Sequence, residues 1–284
     1  MSENAIEIRS ISKKFKNFSL DNLSLDIPQG CITGLIGENG AGKSTLIKII
    51  LNLIKRENGS VKVFGMDNIK NNIDIKKRTG VVFDETNFPD VMKVKNISAV
   101  MKNIYDNWDY DLFMKYIKQF SIPENIELKQ FSKGMKMKLM IAAALSHNPD
   151  LLILDEATSG LDPVIRDEIL DVFLEFIQNE KKSILISSHI TSDLEKISDY
   201  IAFIHNGKIL FNEPKDELPF RYGILKCGLA EFENIPEDSV IGFRKNQFGV
   251  EALVKRDMIH DKKSNILKPS LEDIMLYTVR GQKL

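Results

Sequence analysis

At 284 residues, with 43% hydrophobic and 28% charged side chains and a net charge of -1, the chain is too apolar to be disordered. It is also too evenly charged to be a global binder of nucleic acid or of a membrane surface. Its two cysteines, Cys31 and Cys227, make neither a disulfide framework nor a metal-binding spacing, which fits a reducing cytosol. No apolar run approaches the roughly 20 residues that span a bilayer, so any membrane work requires another chain.

Met1-Ser2-Glu3-Asn4 is polar, and no apolar signal region follows it. Residues 5 to 36 alternate short apolar runs with turns, which is strand spacing. Cys31 to Ile36 reads as a buried strand, with Cys31 as an apolar filler. It runs into Gly37-Glu38-Asn39-Gly40-Ala41-Gly42-Lys43-Ser44-Thr45, and Leu46 to Leu51 then reads as a helix. Strand, glycine-rich loop and helix in that order form a phosphate-binding loop of the pattern G-x-x-x-x-G-K-[ST]. The glycines let backbone N–H groups turn inward around phosphates, and the helix N-terminus adds its positive dipole end. Lys43 reaches the outer phosphates and the Ser44 hydroxyl suits magnesium.

Residues 61 to 64 and 80 to 83 read as further strands. From Val91 to His147 the pattern turns helical, with Ile97, Met101, Ile104 and Trp108 on one face. Leu112, Phe113, Tyr116, Ile117 and Phe120 form the face of the next helix, as core rather than as a cofactor box. Ser132-Lys133-Gly134 opens a strong helix former rich in lysine. Ser132 as a cap would present N–H groups to an anion, although from spacing alone a well-capped basic helix is the better reading.

Leu151 to Leu154 is an apolar strand that delivers Asp155 and Glu156 to the edge of a parallel sheet, where ligands bind. Asp155 can face magnesium and Glu156 can polarise the attacking water; alone, the pair could equally cap the next helix. Ser159-Gly160-Leu161-Asp162-Pro163 follows, with Pro163 suited to a first helical position. Ile184 to Ser188 is another strand, ending in His189. That histidine is a candidate partner for a terminal phosphate or for the water. Ile201–Ile204 and Lys208–Phe211, around Asn206-Gly207, read as a hairpin. After Glu213-Pro214 the character changes. Residues 219 to 284 read as a small module with a final helix near Ser270 to Leu276 and no chemical motif.

The loop, Ser132-x-Gly134, Asp155-Glu156, Ser159 to Asp162 and His189 stand in one order over residues 5 to 213. In that combination the chain resembles the ATP-binding subunit of an ABC transporter. The resemblance implies an α/β fold: a P-loop NTPase core with a parallel sheet, an N-terminal antiparallel subdomain and an inserted helical subdomain. It sets the ATP-binding domain at 4–213, the helical part at about 86–148 and the accessory α+β module at 219–284. It implies ATP and Mg2+ as ligands, hydrolysis with Glu156 and His189 as catalytic residues, and a metal held by Ser44, Asp155 and Asp84. It also implies a head-to-tail dimer, homo- or heteromeric, in which Ser132, Gly134 and Asp162 meet the ATP held by the partner. Phe15 would stack on the adenine, with Phe18 as the competing candidate. A separate membrane permease and a peripheral place at the inner face of the cell membrane follow, with no nucleic-acid partner.

Two positions depart from the family pattern. Lys133 and Met135 stand in a signature that is usually Leu-Ser-Gly-Gly-Gln. This form and the ending Pro269 to Ile274 resemble ABC-2-type exporters. Asp84, in Gly80-Val81-Val82-Phe83-Asp84-Glu85, stands where a glutamine is usual. The other readings are a soluble, non-transport ABC ATPase and a regulatory ATP-binding module.

Overall fold

The structure, a computed structural model, describes residues 4–259 and 266–282. The reading of Met1 to Glu3 and part of the C-terminal module therefore lie outside the described residues.

In chain order, β1 (Asn4–Lys14) and β2 (Ser19–Pro28) lead to β3 (Ile32–Ile36) and α1 (Lys43–Ile50). Next come β4 (Asn58–Val63), β5 (Met66–Asp67), α2 (Asn72–Lys77) and β6 (Thr79–Val82). The helical stretch holds α3 (Val94–Ile104), α4 (Tyr110–Gln119) and α5 (Lys133–Leu145). β7 (Leu151–Asp155), α6 (Pro163–Phe176), β8 (Ser183–Ser187), α7 (Thr191–Ile197), β9 (Tyr200–His205) and β10 (Lys208–Pro214) complete the central layers. The rest comprises α8 (Leu218–Arg221), β11 (Tyr222–Cys227), α9 (Leu229–Phe232), β12 (Val240–Asn246), β13 (Gly249–Lys255), β14 (Ile266–Leu267) and α10 (Leu271–Arg280).

Three sheets result. The N-terminal sheet has the antiparallel order β2-β1-β4-β5. The central one runs β10-β9-β3-β8-β7-β6, parallel throughout except for the edge strand β10. The C-terminal sheet is β12-β13-β11-β14, again antiparallel.

Every residue of β3, β7 and β8 is buried, as befits parallel strands covered on both faces. Because successive side chains alternate, each strand feeds two cores. Leu151, Ile153, Leu185 and Ala202 join Leu46, Ile47 and the N-terminal sheet on one face. Leu152, Leu154, Ile184 and Phe203 join the helices on the other. Each fully buried Leu or Ile contributes roughly 1.5–3 kcal/mol. An Arg78–Asp150 pair at 2.6 Å pins the start of β6 to that of β7.

Phe113, Ile117 and Phe120 are buried as their spacing predicts. Ile104, expected on the packed face, is instead 56% exposed at the end of α3. Trp108 lies beyond that helix. It tilts against Phe113 at 5.1 Å and donates its indole N–H to Ser98 Oγ at 3.2 Å. Cys31 precedes β3 and is half-buried rather than buried; its burial pushes the thiol pKa up. Asn206 and Gly207 both have positive φ, at 47° and 74°, which gives the two-residue hairpin its turn.

Candidate ATP-binding and hydrolysis site

The site forms along the C-terminal edge of three adjacent strands, β3, β8 and β7. β3 releases the phosphate loop, whose Gly40 and Gly42 take φ of 85° and 113°. These are values that only glycine adopts freely. A Cβ on Gly42 would lie 2.7 Å from Phe18 Cζ, so the loop is pressed against that ring. Lys43, the first residue of α1, donates to the Gly37 carbonyl at 2.7 Å and lies 3.4 Å from Glu156 Oε1. Ser44 Oγ donates to Asp155 Oδ1 at 3.1 Å.

The two carboxylates behave differently although they are neighbours. Asp155 closes β7, is 5% exposed, and accepts from both Ser44 and Ser187 Oγ, the latter at 2.7 Å. Glu156 leaves the strand with φ +55°, a left-handed backbone of the kind that gathers at functional sites. Its N–H donates to Ser187 O and to Ser187 Oγ, both at 3.1 Å, which holds that backbone in place. The turn swings the Glu156 side chain to His189, whose Nδ1 is 2.6 Å from Oε2. A carboxylate only accepts, so we assign the proton of this bond to Nδ1. His189 follows β8, the strand between β3 and β7, which is why all three loops meet.

Lys43, Ser44 and Glu156 line one cleft of about 360 Å³, together with Phe18, Glu38, Asn39, Gly40, Gly42 and Thr45. A second cleft adjoins it through Phe18 and holds Phe15, Lys14, Lys16 and Asn206. The Phe15 and Phe18 rings stack at 6.3 Å.

Sequence comparison places this geometry. The sequence profile of the ABC transporter family matches residues 20–159. The bacitracin transport ATP-binding protein BcrA of Bacillus licheniformis is 36% identical over 206 residues, covering 72% of this chain and 67% of its own. The lantibiotic transport ATP-binding protein SrtF of Streptococcus pyogenes is 35% identical over 223 residues, covering 74% and 91%. This chain belongs to the ABC transporter ATP-binding proteins. It is an ATPase of the P-loop NTPase fold, and a transporter's ATP-hydrolysing subunit. A solved ATP-binding subunit of an ABC transporter matches the fold with TM-score 0.69 at 24% identity, covering 76% of this chain and 92% of its own. A dimeric cassette in a post-hydrolysis state, bound to ADP and Pi, matches with TM-score 0.66 at 21% identity, covering 74% and 98%.

Not every sequence candidate meets in the cleft of this ATP-binding subunit. Ser132 caps α5, its Oγ accepting from Met135 N at 3.2 Å, and remains exposed. Gly134 lies under Ile165, where a Cβ would stand 2.7 Å from Cδ1. Asp162 caps α6, its Oδ1 accepting from Val164 N and Ile165 N at 3.1 and 3.0 Å. None of these three lines the cleft that holds Lys43. Asp84 also stands apart. β6 stops at Val82, so Asp84 and Glu85 sit in a turn and both line a third cleft with Asp90, Lys133 and Lys136. Strand alternation, which would turn the two to opposite faces, does not operate there.

Two contributors carry no motif signal of their own. Ser187 matters only because the parallel register sets it opposite Asp155. His205, at the end of β9, has Nδ1 3.0 Å from Glu38 Oε1. A polar residue closing a buried strand beside the phosphate loop is the one cue that flags either.

Proposed function

We propose that this chain powers an exporter, two copies or two related chains closing head-to-tail around two ATP molecules beneath a separate membrane permease. The observation that carries this reading is the run of contacts from Lys43 to Glu156 to His189, with Asp155 beside Ser44, at the ends of three adjacent strands. The bacitracin and lantibiotic transport functions of its relatives support an outward direction. No described helix is long and apolar enough to cross a membrane, which leaves the crossing to another chain.

The residues suit magnesium. Ser44 Oγ and Asp155 Oδ1 are hard oxygen donors held side by side, and no described cluster of three or more His, Cys, Asp or Glu forms an all-protein cage. Magnesium favours such sites, taking few protein oxygens with substrate phosphates and water. Bound by Ser44 and Asp155, it would neutralise phosphate charge. Asp84 would join this set only after movement of the segment that follows β6.

The chain's own groups account for the rest. The loop N–H groups from Asn39 to Thr45 and the Lys43 ammonium bind and orient the phosphates. Glu156 accepts a proton from, or polarises, the attacking water. His189 holds that carboxylate and turns its ring toward the terminal phosphate. Phe15 supplies a face for the base. Ser132 and Gly134 complete the partner's site. The test is Glu156→Gln. It should stop turnover, keep ATP binding and yield an ATP-dependent dimer on size-exclusion chromatography. Near-normal hydrolysis, or a monomer that binds ATP yet never pairs, would overturn the reading.

A further inference from the structure

The C-terminal module has a small core of its own on one face and shares the main core on the other. One face of its sheet, through Leu225, Phe243, Val250 and Ala252, closes over Phe232 of α9. The other face joins the main core. There α10 lies between the sheet and α7: Leu271, Ile274 and Tyr277 are each under 5% exposed and share a cluster with Leu194 and Ile197 of α7 and with Ile224 and Leu253. Phe211 links Phe203 in the central sheet to Tyr222 at the start of the C-terminal one, at 5.6 and 6.1 Å.

One polar contact fixes α10 on α7. The first amide of a helix has no partner inside it. In α10 that amide, Leu271 N, donates to Glu195 Oε1 at 2.6 Å. Ser270 and Asp273 satisfy the neighbouring groups in a reciprocal capping box. The Glu195 carboxylate is therefore the acceptor that this N-terminus draws from outside the module, and its charge suits the positive end of the helix dipole. Behind it, Lys215 Nζ donates to the Glu195 carbonyl at 2.7 Å, tying the segment after β10 to the same residue.

The other end of α7 is the catalytic end. The helix is seven residues long and begins two residues after His189. It is a short rigid body with His189 at its entrance and Glu195 in its last turn. A tilt at one end moves the other by a comparable amount, and the His189–Glu156 contact of 2.6 Å does not tolerate displacement. We propose that Glu195 is a positioning residue for ATP hydrolysis, through which the C-terminal module holds α7 and so keeps His189 on Glu156. Although α7 also packs on β3, the phosphate loop's own contacts run to Asp155, Glu156 and Gly207, so hydrolysis should respond more than nucleotide binding. The proposal rests on the catalytic reading of Glu156 and His189 given above.

The experiment uses the full chain. Wild type, Glu195→Ala, Glu195→Gln and Ser270→Ala are compared for kcat, KM for ATP, equilibrium binding of a fluorescent ATP analogue, and hydrogen exchange at residues 189–197 and 271–280. Glu195→Ala should lower kcat about 3- to 10-fold, the scale of one ordinary intramolecular hydrogen bond. Binding should stay within twofold, and exchange should rise in both segments. Glu195→Gln retains an acceptor oxygen and should restore most of kcat. Ser270→Ala loosens α10 from within the module and should lower kcat in the same direction, which keeps the test alive if Glu195→Ala does not fold. Unchanged kcat in Glu195→Ala and Ser270→Ala despite faster exchange in α10 would overturn the proposal, as would equal loss of kcat and of binding. A wild-type chain that binds ATP without turnover would instead bring down the catalytic reading itself.

Discussion

Ser187 Oγ donates to Asp155 Oδ1 at 2.7 Å across two neighbouring parallel strands, on the same oxygen that accepts from Ser44. The hydroxyl also accepts from the Glu156 N–H, so one serine holds the Asp155 carboxylate and the Glu156 backbone. Partners behind a metal-facing carboxylate typically matter about 10- to 100-fold in metal affinity or activity. Ser187→Ala should lower kcat about tenfold and raise the magnesium concentration for half-maximal activity several-fold, with ATP affinity little changed. Magnesium titrations of turnover, beside nucleotide binding, decide it. A uniform loss of ATP affinity would mean that Ser187 supports the fold of the loop instead.

Lys43 is 5% exposed, held by loop carbonyls and facing Glu156. Its loss removes a phosphate-facing charge, and hydrogen bonds to charged groups contribute about 1.5–3 kcal/mol. Lys43→Ala should weaken ATP binding roughly 10- to 100-fold. Mixed with Ser132→Arg subunits, it should regain activity, because one composite site then has an intact lysine and an intact Ser132. Activity linear in protein concentration, with no rescue on mixing, would reduce Ser132 to a helix cap.

Asp84 and Glu85 share a cleft with Lys133 and Lys136, away from the residues that line the phosphate cleft. Asp84→Asn and Glu85→Gln should each leave ATP affinity within about twofold of wild type, since neither lines the cleft that holds Lys43. If Asp84 joins the metal on closure, its variant alone should also raise the magnesium requirement. Equal effects of both on turnover would assign them to the movement of the 86–148 region.

His147 is fully buried after α5, stacked on Tyr105 at 3.9 Å. Burial pushes its pKa down to about 4 from 6.5. The folded chain thus binds this proton later than the unfolded chain as pH falls. The neutral ring's contribution is complete above pH 6.5 and is lost between pH 6.5 and about 4. At pH 5 the loss is at most roughly 2 kcal/mol. His147→Gln should flatten the decline of Tm between pH 7.5 and pH 5. An unchanged slope would place the acid sensitivity elsewhere.

Much of the site was legible because it is local. The phosphate loop, Asp155-Glu156 and His189 each announce themselves within a few residues of a buried strand, and the parallel sheet then has few ways to bring them together. What escaped is what depends on pairing between distant segments. Ser187 gains its meaning from standing opposite Asp155, and His205 from ending beside Glu38. Asp84 lies off the strand because β6 is an edge strand whose pairing with β7 ends at Val82 and Leu154, although the apolar run continues to Phe83. The exposure of Ile104 has a similar origin: the helical period continues where the helix itself has run out of neighbours.

The hairpin tip at Asn206-Gly207 joins parts that are otherwise far apart in the chain. Gly207 N donates to Ala41 O at 3.1 Å, and its carbonyl accepts from Asp21 N at 3.3 Å. A Cβ on Gly207 would overlap the Ser19 carbonyl oxygen. At the tip of the β12–β13 hairpin Phe248 is 86% exposed, and its N–H bonds locally to Asn246 Oδ1 at 2.8 Å. Both would pass as surface turns suited to an epitope tag or an inserted reporter domain. Only the second should accept one. An insertion at Asn206 would part the phosphate loop from the N-terminal sheet and cost nucleotide binding, so in this molecule the freedom of a turn is set by what its backbone is bonded to.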